Sequence, residues 1–276
     1  MIFSLLPLSI RSLMSRKGSV LLSVLAVALS VTLFLGVDKI RRGASEGFES
    51  TISGTDLIVG ARSGPVNLLL YSVFRIGDPT TNISWEAYED LSTRPQVKWT
   101  IPLSMGDSHE NFRVIGTTRA YLDFYRYGDS RALMVSEGDW FRDQHDAVLG
   151  AAVAEELGYK LGDSFPVSHG LVSASFANHE GHEFTVSGIL ARTGTPVDRS
   201  IHVSLAGIEA LHGDGGQAHE ADHADENHEH EEHEHEHEAE PEAISAFLVG
   251  LENRTAVLIY QRTVNTYEKE PLTGII

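Results

Sequence analysis

The sequence predicts an α+β protein that hangs from one N-terminal transmembrane helix. Three observations predict it. Ser19 to Val37 (SVLLSVLAVALSVTLFLGV) is 19 residues long and carries no charge. Downstream, short apolar runs alternate with short, capped helical patterns. Of the 276 residues 42% are hydrophobic, enough for one large or two small domains with cores of their own.

At about 1.5 Å per residue, some 20 apolar residues cross a hydrocarbon core of about 30 Å, and only a helix satisfies its backbone there. A cleavable secretory signal is the rival reading, because Ala26-Val27-Ala28 has the small-x-small cleavage pattern. That tripeptide lies mid-run, so the segment is read as a retained anchor over 19–37. Arg11, Arg16 and Lys17 precede it, and Lys39, Arg41 and Arg42 come after it, which leaves the positive-inside count tied. The size and acidity of the chain downstream of the helix favour its export. Residues 1–18 read as a cytoplasmic or interfacial segment, and residues 38–53 as a polar stalk continuing the helix.

The exported part begins with Asp56 to Ala61, a short buried strand closed by glycine. Val66 to Phe74 comes directly after Pro65, which suits a first helical turn. This run is more apolar than a surface helix needs, so it buries in a core or meets a second protomer, a periplasmic partner or a lipophilic substrate. Ser84 reads as the N-cap of a helix ending before Pro95. Val97 to Met105 and Phe112 to Gly116 read as paired strands around a polar turn, Gly106 to Asn111, and the aromatic-rich Arg119 to Tyr127 as a helix. Ala147 to Gly150 is a strand, and Ala151 to Leu157 a helix stopped by Gly158. Ser164 to Ser168, Glu183 to Leu190 and Ser200 to Val203 are strands, with the loop Gly194 to Asp198 before the last. In that loop Asp198 and Arg199 either contact a partner or form a turn with a local ion pair. Leu205 to Leu211 is helical, Ala243 to Leu251 a strand, and Arg254 to Thr266 an amphipathic helix.

Charge and composition exclude several functions. The net charge is −18, but residues 214–242 hold 13 acids and no base. Without them 26 acids face 21 bases, so the rest of the chain is ordinary. Nucleic acid is not an expected partner, since phosphate would be repelled. The chain has no cysteine, which removes disulfides, thiolate zinc sites and thiol nucleophiles. No Gly-x-x-x-x-Gly-Lys-Ser/Thr, Gly-x-Ser-x-Gly or His-Glu-x-x-His occurs, so no catalytic residue is assigned.

Several pieces of the chain, in order, resemble the MacB/FtsX-type permeases of ABC transporters. They are Leu8 to Leu13 ahead of Arg16-Lys17, Asp56 to Gly60, Phe112 to Thr117, Ala147 to Gly150, the Leu157-Gly158…Gly162-Asp163 step, and Phe184 to Leu190 (FTVSGIL). The resemblance implies a two-lobed mixed α/β periplasmic core domain. Its membrane-proximal lobe would combine 54–117 with 243–270, its distal lobe would be 118–211, and 212–242 would be an insert. It also implies a separate cytoplasmic ABC ATPase subunit, a homodimer or paired permease, an inner-membrane location with the main domain periplasmic, and transmission of ATP-driven motion. The chain itself would be no enzyme and would require no cofactor. Such permeases carry three further membrane helices after the core domain. The apolar pair ending Glu270 to Ile276 is accordingly read as opening a second membrane segment, in a fragment or truncated product.

One motif falls outside this resemblance. His212, His219, His223, His228, His230, His233, His235 and His237 place eight of the fourteen histidines in 26 residues, interleaved with glutamate as HEHEEHEHEHE. So polar a segment buries no core and is expected to be disordered without a ligand. Neutral imidazoles with carboxylates suit Zn²⁺, Cu²⁺ or Ni²⁺, and alternation offers many overlapping ligand sets in place of one tetrahedral site. Several weakly held zinc ions are expected, against the simpler reading of a solvated acidic spacer. His179 and His182, beside Glu180 and Glu183, form a second chelating pair, and His169 lies near them in sequence. His202, in a strand, reads as a packing or surface residue, and His109 and His145 have no evident partner. Two functions therefore compete with an anchored hydrolase as a distant third: a permease subunit, in a zinc- or metal-related system, and a membrane-anchored periplasmic protein that buffers or delivers zinc.

Overall fold

The computed structural model describes residues 16–169, 183–213 and 241–276. The chain divides into two units between Glu49 and Ser50. The first is the greater part of helix α1 (Lys17–Thr51), which is 35 residues long and continues unbroken through the polar run after Val37. Its stretch Lys17–Lys39 is 23 residues long, about 35 Å at the helical rise. No part of the apolar window is buried by protein, and Leu22, Leu29, Leu33 and Phe34 are each about 70% exposed. An apolar surface open all round a helix is satisfied by lipid and by nothing else described in the chain.

The second unit is built on an eleven-stranded sheet among the described residues. One half runs β15 (Leu272–Ile275), β1 (Leu57–Ala61), β14 (Ala246–Leu251), β3 (Val97–His109), all antiparallel. The other continues β3, β4 (Phe112–Thr117), β12 (Ser200–Ser204), β8 (Asp146–Leu149), β11 (Glu183–Leu190), β7 (Val135–Gly138). In it β4–β12 and β8–β11 are parallel. Strand β3 serves both halves. Its residues 97–103 pair with β14 and its residues 104–109 with β4, with a register shift between Met105 and Ser108.

Two hydrophobic clusters flank this shared strand. In the first, Leu57 and Val59 of β1 and Phe247 and Val249 of β14 pack against Tyr88 and Leu91 of α3 (Trp85–Ser92) and Tyr260 and Val264 of α7 (Val257–Asn265). The opposite face of β1 receives α2 (Pro65–Ser72), whose Leu68 and Tyr71 would meet any Cβ at Gly60. Every residue of β1 is thus buried, as a run without alternation requires. The second cluster gathers Val114, Ala147, Leu149, Phe184, Ile201 and Val203 from the sheet, Val153 from α5 (Ala151–Leu157) and Ile208 from α6 (Leu205–Gly213). Each fully buried aliphatic or aromatic side chain contributes roughly 1.5–3 kcal/mol.

Local signals place most element ends. Ser84 caps α3 by accepting from the Ala87 amide at 3.2 Å. Gly158 ends α5 at φ +75°, a conformation glycine adopts without strain. Two glycines of the sequence motifs answer to crowding. A Cβ on Gly188 would stand 2.2 Å from the Asp139 carbonyl oxygen, and one on Gly150 would stand 2.3 Å from that of Val197.

Elsewhere the structure corrects the sequence reading. The turn expected over 106–111 is only Glu110-Asn111, with φ +47° and +67°, the two left-handed residues of a primed hairpin. Asp107, Ser108 and His109 instead extend β3 and are buried, because β10 (Ser168–His169) pairs with β3 there. The aromatic helix is short, α4 (Ala120–Phe124), and gives way to a small hairpin of β5 (Arg126–Tyr127) and β6 (Arg131–Ala132). The strand expected over 243–251 breaks at Ser245 into β13 (Ala243–Ile244), which pairs with β2 (Ile83–Ser84), and β14. Likewise 164–168 divides into β9 (Ser164–Pro166) and β10. Leu272–Ile275 form β15, with Leu272 buried and the backbone paired to β1. Four extended residues satisfy their polar groups against a sheet, which makes them a strand whatever their hydropathy.

Candidate functional site

The best-built polar arrangement lies where α1 ends. Thr51 and Ile52 are buried, and the Tyr125 hydroxyl donates to the Thr51 carbonyl at 2.6 Å. The Ser53 amide donates to the Arg126 carbonyl at 2.8 Å, and the hydroxyls of Ser53 and Ser130 meet at 3.2 Å. Tyr125 and the β5–β6 hairpin that follows it therefore hold Thr51 and Ser53. The Tyr125 hydroxyl is pushed well above the usual tyrosine range by burial, so it stays a neutral donor.

Tyr125 is also one end of an aromatic cluster. It stacks on Tyr121 at 4.7 Å, Tyr121 lies 4.9 Å from the His202 ring, and Trp140 lies 6.0 Å from that ring. Arg75 donates to the Tyr121 hydroxyl at 3.1 Å and to the Ser72 carbonyl. His202 is fully buried, and neither ring nitrogen has a hydrogen-bond partner in good geometry; Trp140 Nε1 and Arg75 Nε are likewise unpaired. Burial first, then the Arg75 charge, lowers the His202 pKa to about 3, against a weaker opposing pull from the Val148 backbone. The imidazole is neutral at any physiological pH, a packing residue as its strand position suggested. The cluster was announced in the sequence only by the density of aromatics in Arg119 to Tyr127; nothing there linked it to Arg75, Trp140 or His202.

The sequence-assigned ligands are otherwise placed. His179, His182, His219, His223, His228, His230, His233, His235 and His237 all lie outside the described residues. Among the described residues no group of three or more His, Asp or Glu is arranged to hold a metal. His109 does find a partner: its Nε2 is 2.9 Å from the Tyr159 hydroxyl and its ring 4.7 Å from Phe165. Burial lowers its pKa as well. In the Gly194 loop, Asp198 is buried and accepts from the amides of Thr193 and Gly194 and from the Thr193 hydroxyl, all at 2.7–2.8 Å. Arg199 turns the other way, pairing with Glu156 and covering the Phe112 ring at 4.8 Å. This loop is a structural turn, and its two charged residues do not pair with each other. Val66 to Phe74 mostly buries, with Leu68, Tyr71, Ser72 and Val73 inside. An open groove of about 770 Å³ lies between α5 and β11, lined by Tyr159, Leu161 and Ile189 with Glu155 and Arg192 paired at its rim.

A long apolar helix joined to a mixed sheet domain defines a class, a membrane-anchored α+β domain. The family model for the MacB-like periplasmic core domain matches residues 20–227, and the chain belongs to that family. It is a MacB/FtsX-type ABC transporter permease chain, located in the inner membrane through α1 with its main domain periplasmic. Such domains are parts of permeases and are not themselves enzymes. Among solved structures, the extracellular domain of the noncanonic ABC-type transporter YknZ from Gram-positive bacteria is similar at 15% identity and TM-score 0.46, over 80% of this chain and 99% of that one. The periplasmic region of MacB from Actinobacillus actinomycetemcomitans is similar at 10% identity and TM-score 0.49, over 83% and 92%. Among curated proteins the comparison finds no match.

Proposed function

We propose that this chain passes ATP-driven motion from a separate cytoplasmic ABC ATPase to the periplasm, as one of two paired permease subunits. The carrying observation is the family match over residues 20–227 joined to an unbroken helix, Lys17–Thr51, whose last residue is buried and bonded. A helix with its backbone bonds intact moves as a rod, so a shift of the bilayer span is delivered to residues 51–53. Residues 38–53 act as the stalk. Residues 54–117 with 243–270 form the membrane-proximal lobe and 118–211 the distal lobe; the two hydrophobic clusters support two lobes, with Phe112 and Val114 of β4 packing in the second. The distal lobe meets a periplasmic partner or cargo.

The test is co-expression with a candidate cytoplasmic ABC ATPase and purification in detergent. A stable complex whose ATP hydrolysis depends on this chain is expected. Recovery of the chain from a salt wash, with its N-terminus beyond Val37, would refute the reading.

The composition of residues 212–237 favours a second activity in the same chain, zinc capture by the alternating histidines. His179 and His182 add ligands from the 170–182 segment. Calorimetry should show zinc uptake by the full chain that largely disappears when 219–237 is deleted, and that weakens below about pH 6 as imidazoles protonate. Equal uptake by the intact and deleted chains would remove this activity.

A further inference from the structure

The two hydrophobic clusters share β3, and the end of α1 has partners outside both clusters. It is held by residues 125–130, which are more than 70 positions away along the chain. The Tyr125 hydroxyl takes the last helical carbonyl, and the hairpin backbone takes Ser53. From Tyr125 the packing leads by ring contact to Tyr121, then to His202 in β12 and to Trp140. Strand β12 is the centre of the second cluster, through Ile201 and Val203. A parallel branch leads from Tyr121 through Arg75 to the C-terminal end of α2.

We infer that residues 119–131 form a mechanical joint: a movement of the Thr51 end of α1 is passed through Tyr125, Tyr121 and His202 into β12 and the second half of the sheet, ahead of β1, the strand next after α1 in the chain. This rests on the transmission reading above and names its working parts. The chemistry suits the task. The joint is made of packed rings and a fully buried imidazole, with the Tyr125 and Tyr121 hydroxyls tied to Thr51 and Arg75, so the rings shift as one group. The link to the end of α1 combines the phenol-to-carbonyl bond, the Ser53–Arg126 backbone bond and the contact of two serine hydroxyls, and substitutions at Tyr125, Ser53 and Ser130 alter it. Beside it, β1 is paired along both edges, to β14 and to β15.

The test is hydrogen exchange on the full chain in nanodiscs, with no ATPase present, so its result does not depend on the transport reading. Tyr125→Phe should speed exchange at the β12 amides 200–204 and around Trp140 by about fivefold, the ratio that loss of one ordinary hydrogen bond gives, while β1 and β14 keep their rates. The second variant is Ser53→Cys with Ser130→Cys, whose hydroxyls now lie 3.2 Å apart in a chain without other thiols. Oxidation should slow exchange at 200–204 and reduction should restore it, which keeps the inference testable if the phenylalanine variant fails to fold. Changes confined to 51–53 and 124–131, or equal changes in β1 and β12, would overturn the joint. Loss of transport with these exchange patterns intact would fault the transmission reading alone.

Discussion

His202 makes the stability of the periplasmic domain sensitive to mild acid. Its ring is fully buried among Tyr121 and Trp140, and its folded pKa is about 3, far below the reference value of about 6.5 for an unfolded chain. Because the folded value is the depressed one, the unfolded state takes up the proton first as pH falls. Stability is therefore full above about pH 6.5 and declines below it, at about 1.4 kcal/mol per pH unit while the folded ring stays neutral. Between pH 6.5 and pH 5 the loss from this one residue is about 2 kcal/mol. His202→Leu keeps the volume roughly constant and removes the titration. It forfeits no more than the weak interaction with the Val148 backbone, so its cost at pH 7 should be small. Urea unfolding of both chains in detergent, monitored by tryptophan fluorescence, should give midpoints that are close at pH 7.5. They should diverge by about 2 kcal/mol at pH 5, with the variant the more stable. Parallel pH curves for the two chains would refute the reasoning, since carboxylates, the His-rich segment and His109 titrate alike in both.

Ser84→Ala removes the cap of α3, and with it the Ala87 bond, and should cost about 1 kcal/mol in urea unfolding. Gly188→Ala drives a methyl group to 2.2 Å from the Asp139 carbonyl oxygen and should cost about 2 kcal/mol or more, with the loss seen as a lower thermal midpoint. Gly158→Ala, at φ +75° with open space around its Cα, should cost only about 1 kcal/mol, so the two glycine variants separate crowding from backbone strain in one assay.

Where local chemistry decides, the residues alone were sufficient. The uncharged run from Ser19, the serine cap at 84 and the glycine stop at 158 each act over a few neighbouring residues, and each stands where expected. The ordered motifs around Gly150 and Gly188 pointed to the family, and the structure supplies their cause: carbonyls from distant turns approach too closely for a side chain. Expectations failed where a partner strand overrides composition. Asp107 to His109 read as a loop and became buried strand.

The sequence by itself determined the anchor, the α+β class and the family, because each depends on composition or on spacing along the chain. Only the tertiary structure decided which residues receive the end of the membrane helix. Thr51 and Tyr125 are 74 residues apart, and His202 and Trp140 join them from farther still. A hydrogen bond and a ring contact act over a few ångströms, so which side chains share one depends on the folding of the intervening chain, and no periodicity records it.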